Sequence, residues 1–358
     1  MAKKKTSCLK KLPRLKTPII TNENIDMFAE AQKIIEGHNM TASLSHLNTL
    51  TTLCLPGDLT NPISKAHEFI MLSLEDNCNP DASRYVVGMH PNASDISIAK
   101  IVTAKDWLIQ RRKITKPFRG GRYPLVFAPS VGGILVHEII GHQFELSKAH
   151  SPFSPTKYKR GEKLFSDNLT VIDAPLSVIP TENFDDEGTI KKETVLIKNG
   201  AIMSPLADTH TLDTFSNYVL TGNCRRESYL HCPEPRMYST YVENGLDSIT
   251  KSISAIEYGF YVEQISYAFC NHRAGTVKLC VGQAKIIKHG KITDTPAIFF
   301  VDEKISSFTS VKFVCNDKLV LPGYCHSASG GLYAEFGSPT IGFDNINIIR
   351  GFGSCIQL

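Results

Sequence analysis

The segment from Val131 to Glu145, VGGILVHEIIGHQFE, most constrains how this chain of 358 residues can fold. An otherwise apolar run there carries His137, Glu138 and His142 into what its pattern predicts is a buried helix. Three ionisable side chains are costly inside a protein unless they are paired or bound to a metal ion. Two imidazoles suit a borderline-soft ion such as Zn²⁺, and an adjacent carboxylate can serve as general base. The segment therefore predicts a metal site.

The spacing of the two histidines requires a distorted helix if both are to bind one ion. The zinc-peptidase pattern H-E-x-x-H separates its histidines by four residues, whereas His137 and His142 are five apart. Five residues turn a regular helix through about 500°, which leaves the second imidazole about 140° from the first. Both reach one ion only if the helix widens into a π-bulge or ends nearby, and Gly141 permits such a distortion. The alternative is that both are ordinary core histidines and that Glu138 is solvated.

Composition is that of an ordinary globular protein, with 42% hydrophobic and 21% charged residues. No apolar run approaches the roughly eighteen residues of a membrane span, and no secretory segment follows the basic start, so we expect a cytoplasmic location and no membrane partner. The ten cysteines form no C-x-x-C pair. They are predicted to be reduced thiols, one of which is available as a metal ligand.

Basic residues are concentrated at the start of the chain. The first sixteen residues contain seven Lys and Arg and no acidic residue, so with a net charge of +4 the remainder carries 4 − 7 = −3. We predict that residues 1–20 form a disordered, solubilising tail. Nucleic-acid binding is given little weight because no other basic cluster with interleaved aromatic residues follows.

An α+β fold is predicted, with two regions of different character. Residues 21–115 form a small N-terminal α/β region, in which Asn24 to Asn39 and Pro62 to Glu75 are predicted helices and Thr49 to Leu55 a strand. Residues 116–358 form a large, curved, mostly antiparallel β-rich domain that carries the metal-binding helix.

The β-rich domain is predicted from short apolar alternations bounded by turns. The helix begins after Ser130, which is a candidate N-cap, and Gly132 and Gly133 allow another backbone to approach closely. Asn199-Gly200 and His289-Gly290 are hairpin signals. The predicted strands are Pro124 to Ala128, Leu169 to Ile172, Glu193 to Ile197, Ile256 to Tyr261, Thr276 to Ile287 and Ala297 to Val301.

Four stretches carry further pattern: HEIIGHQFE, NFDDEGTIKKETVLIKNG, GNCRRESYLHCPEPRM and GSPTIGFDNINIIRGFG. Together they resemble the TldD/PmbA family of zinc metallopeptidases. The first resembles that family's H-E-x-x-G-H signature and the second its acidic turn, strand and hairpin. The third resembles its long G-N-x-R-R-E-S-Y-x-x-x-P-x-P-R-M block and the fourth its closing G-Q-P-T strand. The resemblance covers residues 116–353, and family members usually carry a longer N-terminal domain.

The resemblance implies a third metal ligand. In the family this ligand is a cysteine upstream of the G-x-P-T element, which corresponds here to Cys325. A thiolate would complete a His₂Cys site for Zn²⁺ and leave one position open. The residues after Cys325 depart from the family's pattern, so His326 and Ser329 are alternatives, and His150 is a weaker one. Cys325 would then be a small buried hydrophobe.

The function implied by the resemblance is a zinc-dependent metallopeptidase acting on short or unfolded peptides. Zinc on His137, His142 and Cys325 would acidify a water molecule, and Glu138 would accept its proton as general base. Glu145, one turn beyond His142, is a candidate hydrogen-bond acceptor for an imidazole N–H.

Three further residues of the family block are candidates for substrate binding. Arg225 and Arg226 would bind a substrate carboxylate or an oxyanion, and His231 would donate a hydrogen bond. The alternative is that the arginines connect strands and that His231 is a core histidine.

Partners and other function classes follow from the same resemblance. The family contains a PmbA-like subunit that lacks the histidine motif, so such a partner subunit is expected, and a homodimer is the alternative. A hydrolase of other amides or esters would use the same site. A non-catalytic interaction or regulatory subunit would retain only a structural zinc, and a nucleic-acid-binding regulator would use the basic tail.

Overall fold

The computed structural model describes residues 22–55, 58–78, 84–90, 96–114, 116–175 and 184–353. The predicted basic tail lies outside these residues. The chain divides into two compact units, residues 1–108 with 186–188, and residues 109–185 with 189–358. The predicted domain boundary at residues 115 and 116 stays a prediction. Across the described ranges, no helix is both long and apolar enough to cross a membrane.

The first unit contains an antiparallel sheet of three strands and two helices. The strands are β1 (Met40–Leu55), β2 (Asp58–Asp76) and β3 (Arg84–His90), in the order β1-β2-β3. The helices are α1 (Asn22–Ile35) and the greater part of α2 (Ile98–Arg111). The core of this unit contains alternate residues of β2, one face of each helix, and Ile96 just before α2: Ala31, Ile35, Ile70, Leu72, Leu74, Ile96, Ile101, Ala104 and Leu108.

The predicted helix from Pro62 to Glu75 is wrong, because these residues belong to β2. The strand pairs with β1 along its length, from Asp76 opposite Met40 to Asp58 opposite Leu55. A continuous apolar run such as FIMLSL suits a helix and a buried strand equally well. The hydrogen bonds offered by β1 decide between them, and sequence periodicity does not reveal a partner strand. The predicted helix over Asn24 to Asn39 is confirmed as α1.

The second unit is mainly β-structure. Its strands form two six-stranded sheets and one short two-stranded sheet. They are β4 (Lys116–Phe127), β5 (Val171–Ala174), β6 (Thr194–Lys198), β7 (Ala201–Ile202), β8 (Cys224–Arg225), β9 (Glu234–Pro235), β10 (Ser239–Val242), β11 (Tyr258–Asn271), β12 (Thr276–Lys288), β13 (Lys291–Lys304), β14 (Val311–Val314), β15 (Leu319–Ser327), β16 (Gly330–Ser338) and β17 (Ile341–Gly353).

The two large sheets differ in closure. One has the order β13-β12-β11-β4-β17-β14, and β13 also pairs with β17, so five of its strands close into a ring. The other is open and has the order β15-β16-β10-β5-β6-β7. Only β4 with β11 and β10 with β16 pair in parallel among the described strands. The predicted mostly antiparallel, curved and β-rich domain is therefore confirmed.

The hairpins were predicted at the correct positions. Asn199 and His289 have φ values of 48°, and Gly200 and Gly290 follow them with φ values of 77° and 72°. Two successive left-handed residues are what a tight two-residue hairpin requires. These turns join β6 to β7 and β12 to β13.

Short helices connect the strands and support the motif segment. They are α3 (Val131–Val136), α4 (His142–Phe144), α5 (Thr209–Thr214) and α6 (Ile249–Ser254), with 3₁₀ turns at Leu146–Lys148, Pro155–Lys157 and Ile305–Phe308. The helix α3 packs against β16 of the open sheet and β11 of the closed one. The motif residues are thus held between both sheets.

The close approach predicted for Gly132 and Gly133 is confirmed. A Cβ on Gly133 would overlap the backbone of Gly337 in β16, and one on Gly132 would press into Ser338 and Ile341. The predicted N-cap is wrong, because the Ser130 side chain makes no capping hydrogen bond to the helix. Its hydroxyl instead donates to the Phe336 carbonyl oxygen at 3.1 Å, which also fastens the helix to β16.

We expect Gly133→Ala to lower the free energy of unfolding by about 3 kcal/mol, because backbone atoms of Gly337 cannot move aside as a side chain can. Urea denaturation of the purified variant measures the change. Gly161→Ala is the control, since Gly161 has a φ of 87° but a Cβ there would meet nothing within 4 Å. Gly161→Ala should lower the free energy of unfolding by about 1 kcal/mol, because only the strain of a positive φ at a residue other than glycine contributes. Equal costs for the two variants would contradict the packing explanation.

Candidate metal centre

The motif helix contains the predicted π turn. Between α3 and α4, residues His137–Gly141 form a five-residue π-helical segment, and the His142 N–H donates to the His137 carbonyl oxygen. This hydrogen bond spans five residues instead of the four of an α-helix. The widened turn is the distortion that the spacing of the two histidines required, and the prediction is confirmed.

The π turn brings both imidazoles to one sulfur atom. The ring centroids of His137 and His142 lie 4.8 Å apart. Cys325 Sγ lies 3.1 Å from His137 Nε2 and 3.3 Å from His142 Nε2. All three side chains are buried, with relative exposures of 1%, 4% and 7%. Cys325 reaches them from β15, which shows that residues 183 positions apart converge on one point.

Gly141 lies at a point of the π turn where a side chain has no room. Its φ of −50° and ψ of −57° are ordinary helical values, so the turn does not use the backbone freedom of glycine. A Cβ on Gly141 would overlap the sulfur of Met237, whose side chain is itself buried. The helix is therefore fitted against the segment that follows β9, and a larger residue would push His142 away from the other donors.

Burial shifts every ionisable group of the centre towards its neutral form. It lowers the pKa of His137 well below its usual value and that of His142 to about 3. It raises the pKa of the Cys325 thiol to about 12, against the opposing effect of the Arg236 guanidinium. Burial, reinforced by the Glu145 carboxylate, also raises the pKa of Glu138 to about 8. Neutral imidazoles are the form that binds metal ions, and a dication would reverse the shifts of the thiol and the carboxylate.

The arrangement of donor atoms fits a tetrahedral ion. The nearest nitrogen and sulfur atoms of the three side chains all lie within 4.8 Å of one another. Two ligands of a tetrahedral zinc ion, one at an N distance and one at an S distance, would be about 3.5 Å apart, close to the two observed N···S separations. His137, His142 and Cys325 are therefore residues that could hold a metal ion, with two nitrogen donors and one sulfur donor.

A second layer of side chains holds His142 and Cys325 in place. Glu145 Oε1 lies 3.1 Å from His142 Nδ1, as the sequence predicted for a hydrogen-bond acceptor in this position. Because the carboxylate accepts from Nδ1–H, the Nε2 atom of His142 is left free to face Cys325. Arg236 Nη2 donates to the Cys325 sulfur at 3.2 Å, and its Nε lies 3.6 Å from Glu145 Oε1.

The alternative third ligands lie elsewhere. His326 follows Cys325 on the same strand, so its side chain points to the opposite face, where it is exposed. Ser329 is buried, but its hydroxyl accepts a hydrogen bond from Arg236 Nη1 at 2.6 Å. His150 is exposed in a turn after the helix. None of the three belongs to the cluster of ligand atoms.

The three residues predicted to bind substrate differ in burial and in their contacts. Arg225 is buried, and its guanidinium donates to the backbone oxygens of Met237 and Tyr333, the latter at 2.8 Å. These contacts favour the strand-connecting interpretation. His231 is half-buried, with Nδ1 3.1 Å from the Ser228 hydroxyl. Arg226 is half-buried as well. Substrate binding by these three residues stays a prediction.

Several site residues were not identified from the sequence. Arg236 lies inside the block GNCRRESYLHCPEPRM, in which the adjacent pair Arg225 and Arg226 is the more prominent basic signal. Gln143 follows His142 directly and contacts His272 Nδ1 at 2.9 Å and the Cys270 sulfur at 3.2 Å. The His272 ring lies 5.6 Å from that of His142. His272 follows β11 and shows no local pattern, so only the tertiary structure reveals it.

A β-rich unit in which a π turn and a β-strand bring two histidines and one cysteine together is a candidate metalloprotein. Comparison with known proteins gives its family. Residues 120–350 match the model of the PmbA/TldA metallopeptidase C-terminal domain. The chain is 27% identical over 241 residues to the metalloprotease TldD homolog of Buchnera aphidicola, a match that covers 65% of this chain and 49% of that protein. For the zinc metalloprotease TldD homolog of Saccharolobus solfataricus the identity is 27% over 240 residues, covering 65% and 53%.

The solved structures agree on the fold. TldE from Thermococcus kodakarensis superimposes with a TM-score of 0.64 at 18% identity, covering 91% of this chain and 73% of that one. The chain belongs to the TldD/PmbA family. It spans about half the length of the curated relatives that it matches. The match over residues 120–350 agrees with the extent of the resemblance seen in the sequence.

We expect Gly141→Ala to lower the free energy of unfolding of the metal-free protein by about 2 to 3 kcal/mol, because the added methyl group overlaps Met237. Met237→Ala alone should cost about 2 to 4 kcal/mol by leaving a cavity. In the double variant the methyl group occupies that cavity, so the further cost of Gly141→Ala should fall below about 1 kcal/mol. Urea denaturation of the four proteins gives the coupling, and simple additivity would show that the contact with Met237 does not restrict residue 141.

Proposed function

We propose that this protein is a zinc-dependent metallopeptidase that hydrolyses peptide bonds of short or unfolded peptides. The proposal depends on the convergence of His137, His142 and Cys325, since neutral imidazoles and a thiol within mutual reach form a donor set typical of zinc. The metalloprotease names of the relatives support the same reaction class. A cytoplasmic location stays a prediction from the sequence.

Glu138 is the proposed general base. It follows the first ligand in the π turn, its carboxylate is close enough to contribute to the raised pKa of Cys325, and its side chain is only half-buried. A bound zinc ion would supply Lewis-acid polarisation and acidify a water molecule. Glu138 would take the proton of that water as it adds to the scissile carbonyl, and would return it to the amine nitrogen as the C–N bond breaks. The carboxylate must be ionised for the first step, and the nearby dication would favour that form.

The free edge of β15 is the proposed peptide-binding element. Within the described part of the chain, β15 is an outer strand of its sheet and pairs only with β16. It also carries Cys325, so a peptide added along this edge would run beside the metal position. Binding by main-chain hydrogen bonds would read the peptide backbone more than its side chains. The expected specificity is therefore broad.

A PmbA-like partner subunit is proposed, with a homodimer as the alternative. The motif histidines and their glutamate are all present in this chain, which is the pattern of the metal-bearing subunit. The structural similarity to TldE from Thermococcus kodakarensis supports a family in which related chains share one fold. Size-exclusion chromatography with light scattering distinguishes a monomer from a homodimer directly.

A non-catalytic protein with a structural zinc is the second candidate function. Structural zinc sites usually have four protein ligands, whereas catalytic sites keep one position open. Among the described residues the cluster contains only three ligand side chains, and His326 points away from it. The three-ligand arrangement favours the catalytic proposal over the structural one.

We expect the purified wild-type protein to contain close to one zinc ion per chain by elemental analysis. His137→Ala and Cys325→Ala should each lose most of it, because each variant removes one of three ligands. Cys315→Ala is the control for a buried cysteine and His326→Ala for a histidine outside the cluster, and both should retain the metal. Full metal content in Cys325→Ala would contradict the assignment of the third ligand.

We expect Glu138→Gln to retain zinc but to cleave an unfolded peptide at least about a hundredfold more slowly, because the amide cannot accept the proton of water. Mass spectrometry of the peptide products measures the rate, and elemental analysis of the same preparation confirms the metal. Glu162→Gln, at an acidic residue exposed on the surface, is the control and should leave the rate unchanged. A Glu138→Gln variant as active as the wild type would exclude the general-base role.

A further inference from the structure

Among the side chains that the structure describes, Arg236 is the largest with a relative exposure below 2%, at 1%. It follows β9, and both of its terminal nitrogen atoms donate hydrogen bonds on the cysteine side of the centre. Nη2 donates to the Cys325 carbonyl oxygen at 2.9 Å and to its sulfur at 3.2 Å. Nη1 donates to the Ser329 hydroxyl at 2.6 Å and to the Gly330 carbonyl oxygen at 3.1 Å. One side chain thus fixes both the strand that carries the thiol and the turn that follows it.

The same guanidinium also reaches the histidine side. Its Nε lies 3.6 Å from Glu145 Oε1, and that carboxylate oxygen contacts His142 Nδ1 at 3.1 Å. Glu145 has 0% exposure, so this link is shielded from solvent. A chain of polar contacts therefore runs from the Cys325 sulfur through Arg236 and Glu145 to His142. It connects the two parts of the metal cluster without passing through the metal position.

We propose that Arg236 is a positioning residue that holds Cys325 and, through Glu145, His142 in metal-binding geometry, and that tunes the sulfur by an N–H···S hydrogen bond. This inference rests on the proposed function, because it takes the cluster as a metal site. A flat guanidinium with several donors in one plane can contact sulfur, hydroxyl and backbone oxygen together, which an ammonium group cannot do.

The test compares Arg236→Met and Arg236→Lys with Arg225→Met. Arg225 is a matched control, because it is also buried, lies in the preceding strand β8, and donates to backbone oxygens of Met237 and Tyr333 instead of to Cys325. Each protein is stripped of metal, and its zinc dissociation constant is measured by competition with a chromophoric chelator. Circular dichroism verifies that each variant is folded.

Removing a second layer of contacts around a metal site typically weakens binding by about 10 to 100-fold, and we expect that loss for Arg236→Met. Arg236→Lys keeps a positive charge but loses the planar set of donors, so we expect it to bind at least about tenfold more weakly than the wild type. Arg225→Met should change the dissociation constant by less than about threefold, since it removes no contact to a ligand.

Cobalt substitution gives a second, spectroscopic readout. The thiolate-to-cobalt charge-transfer band reports the electron-donating strength of the sulfur, which an N–H···S bond reduces. The band should shift to lower energy in both Arg236 variants and stay unchanged in Arg225→Met. If Arg236→Met does not fold, Arg236→Lys decides the question by both readouts.

The outcomes separate the two proposals. If the wild type binds neither zinc nor cobalt, the proposed function is wrong, and so is the proposed role of Arg236. If the wild type binds metal and the Arg236 variants match it in dissociation constant and in band position, only the positioning role is overturned. A loss of affinity of equal size in Arg225→Met would also overturn it, because the effect would then be a general consequence of removing a buried arginine.

Discussion

Two imidazoles and one thiol meet at a single buried point, and the surrounding structure is arranged to keep them there. Burial favours the neutral form of all three groups, since it lowers the pKa of each histidine and raises that of the Cys325 thiol to about 12. A dication is bound by neutral imidazoles and favours the thiolate, so burial prepares the histidines for an ion and the ion offsets the cost of a buried thiolate. The proposed reaction depends on this reciprocal stabilisation.

The fold supplies the two sides of the cluster from different elements. The histidines come from a helix clamped between two sheets, where Gly133 lies directly against Gly337 of β16. The cysteine comes from β15, the outer strand next to β16. Because β16 contacts both, the helix and the thiol are fixed relative to one common strand. Ring closure of the other sheet adds rigidity, since five of its strands leave few free edges.

The sequence predicted several features correctly where a local pattern is compatible with only one backbone conformation. Histidines five residues apart required a widened turn if they were to share an ion, and the π-helical segment His137–Gly141 provides it. Asn199-Gly200 required left-handed backbone, which is observed. The prediction for Pro62 to Glu75 was wrong because the same apolar run suits a helix or a strand, and only the pairing with β1 selects the strand.

The sequence by itself determined the donor types, the distorted helix and, through a resemblance of motifs, the family. Only the tertiary structure decided that Cys325 faces the histidines while His326 faces outward, which follows from the alternation of side chains along a strand. It also decided that Arg236, rather than Arg225, contacts the sulfur. Both arginines lie in the same short block of sequence. Their spacing does not specify which side chain will face the metal centre once β8 and β9 have paired. Such contacts join residues about ninety positions apart, and no local pattern records them.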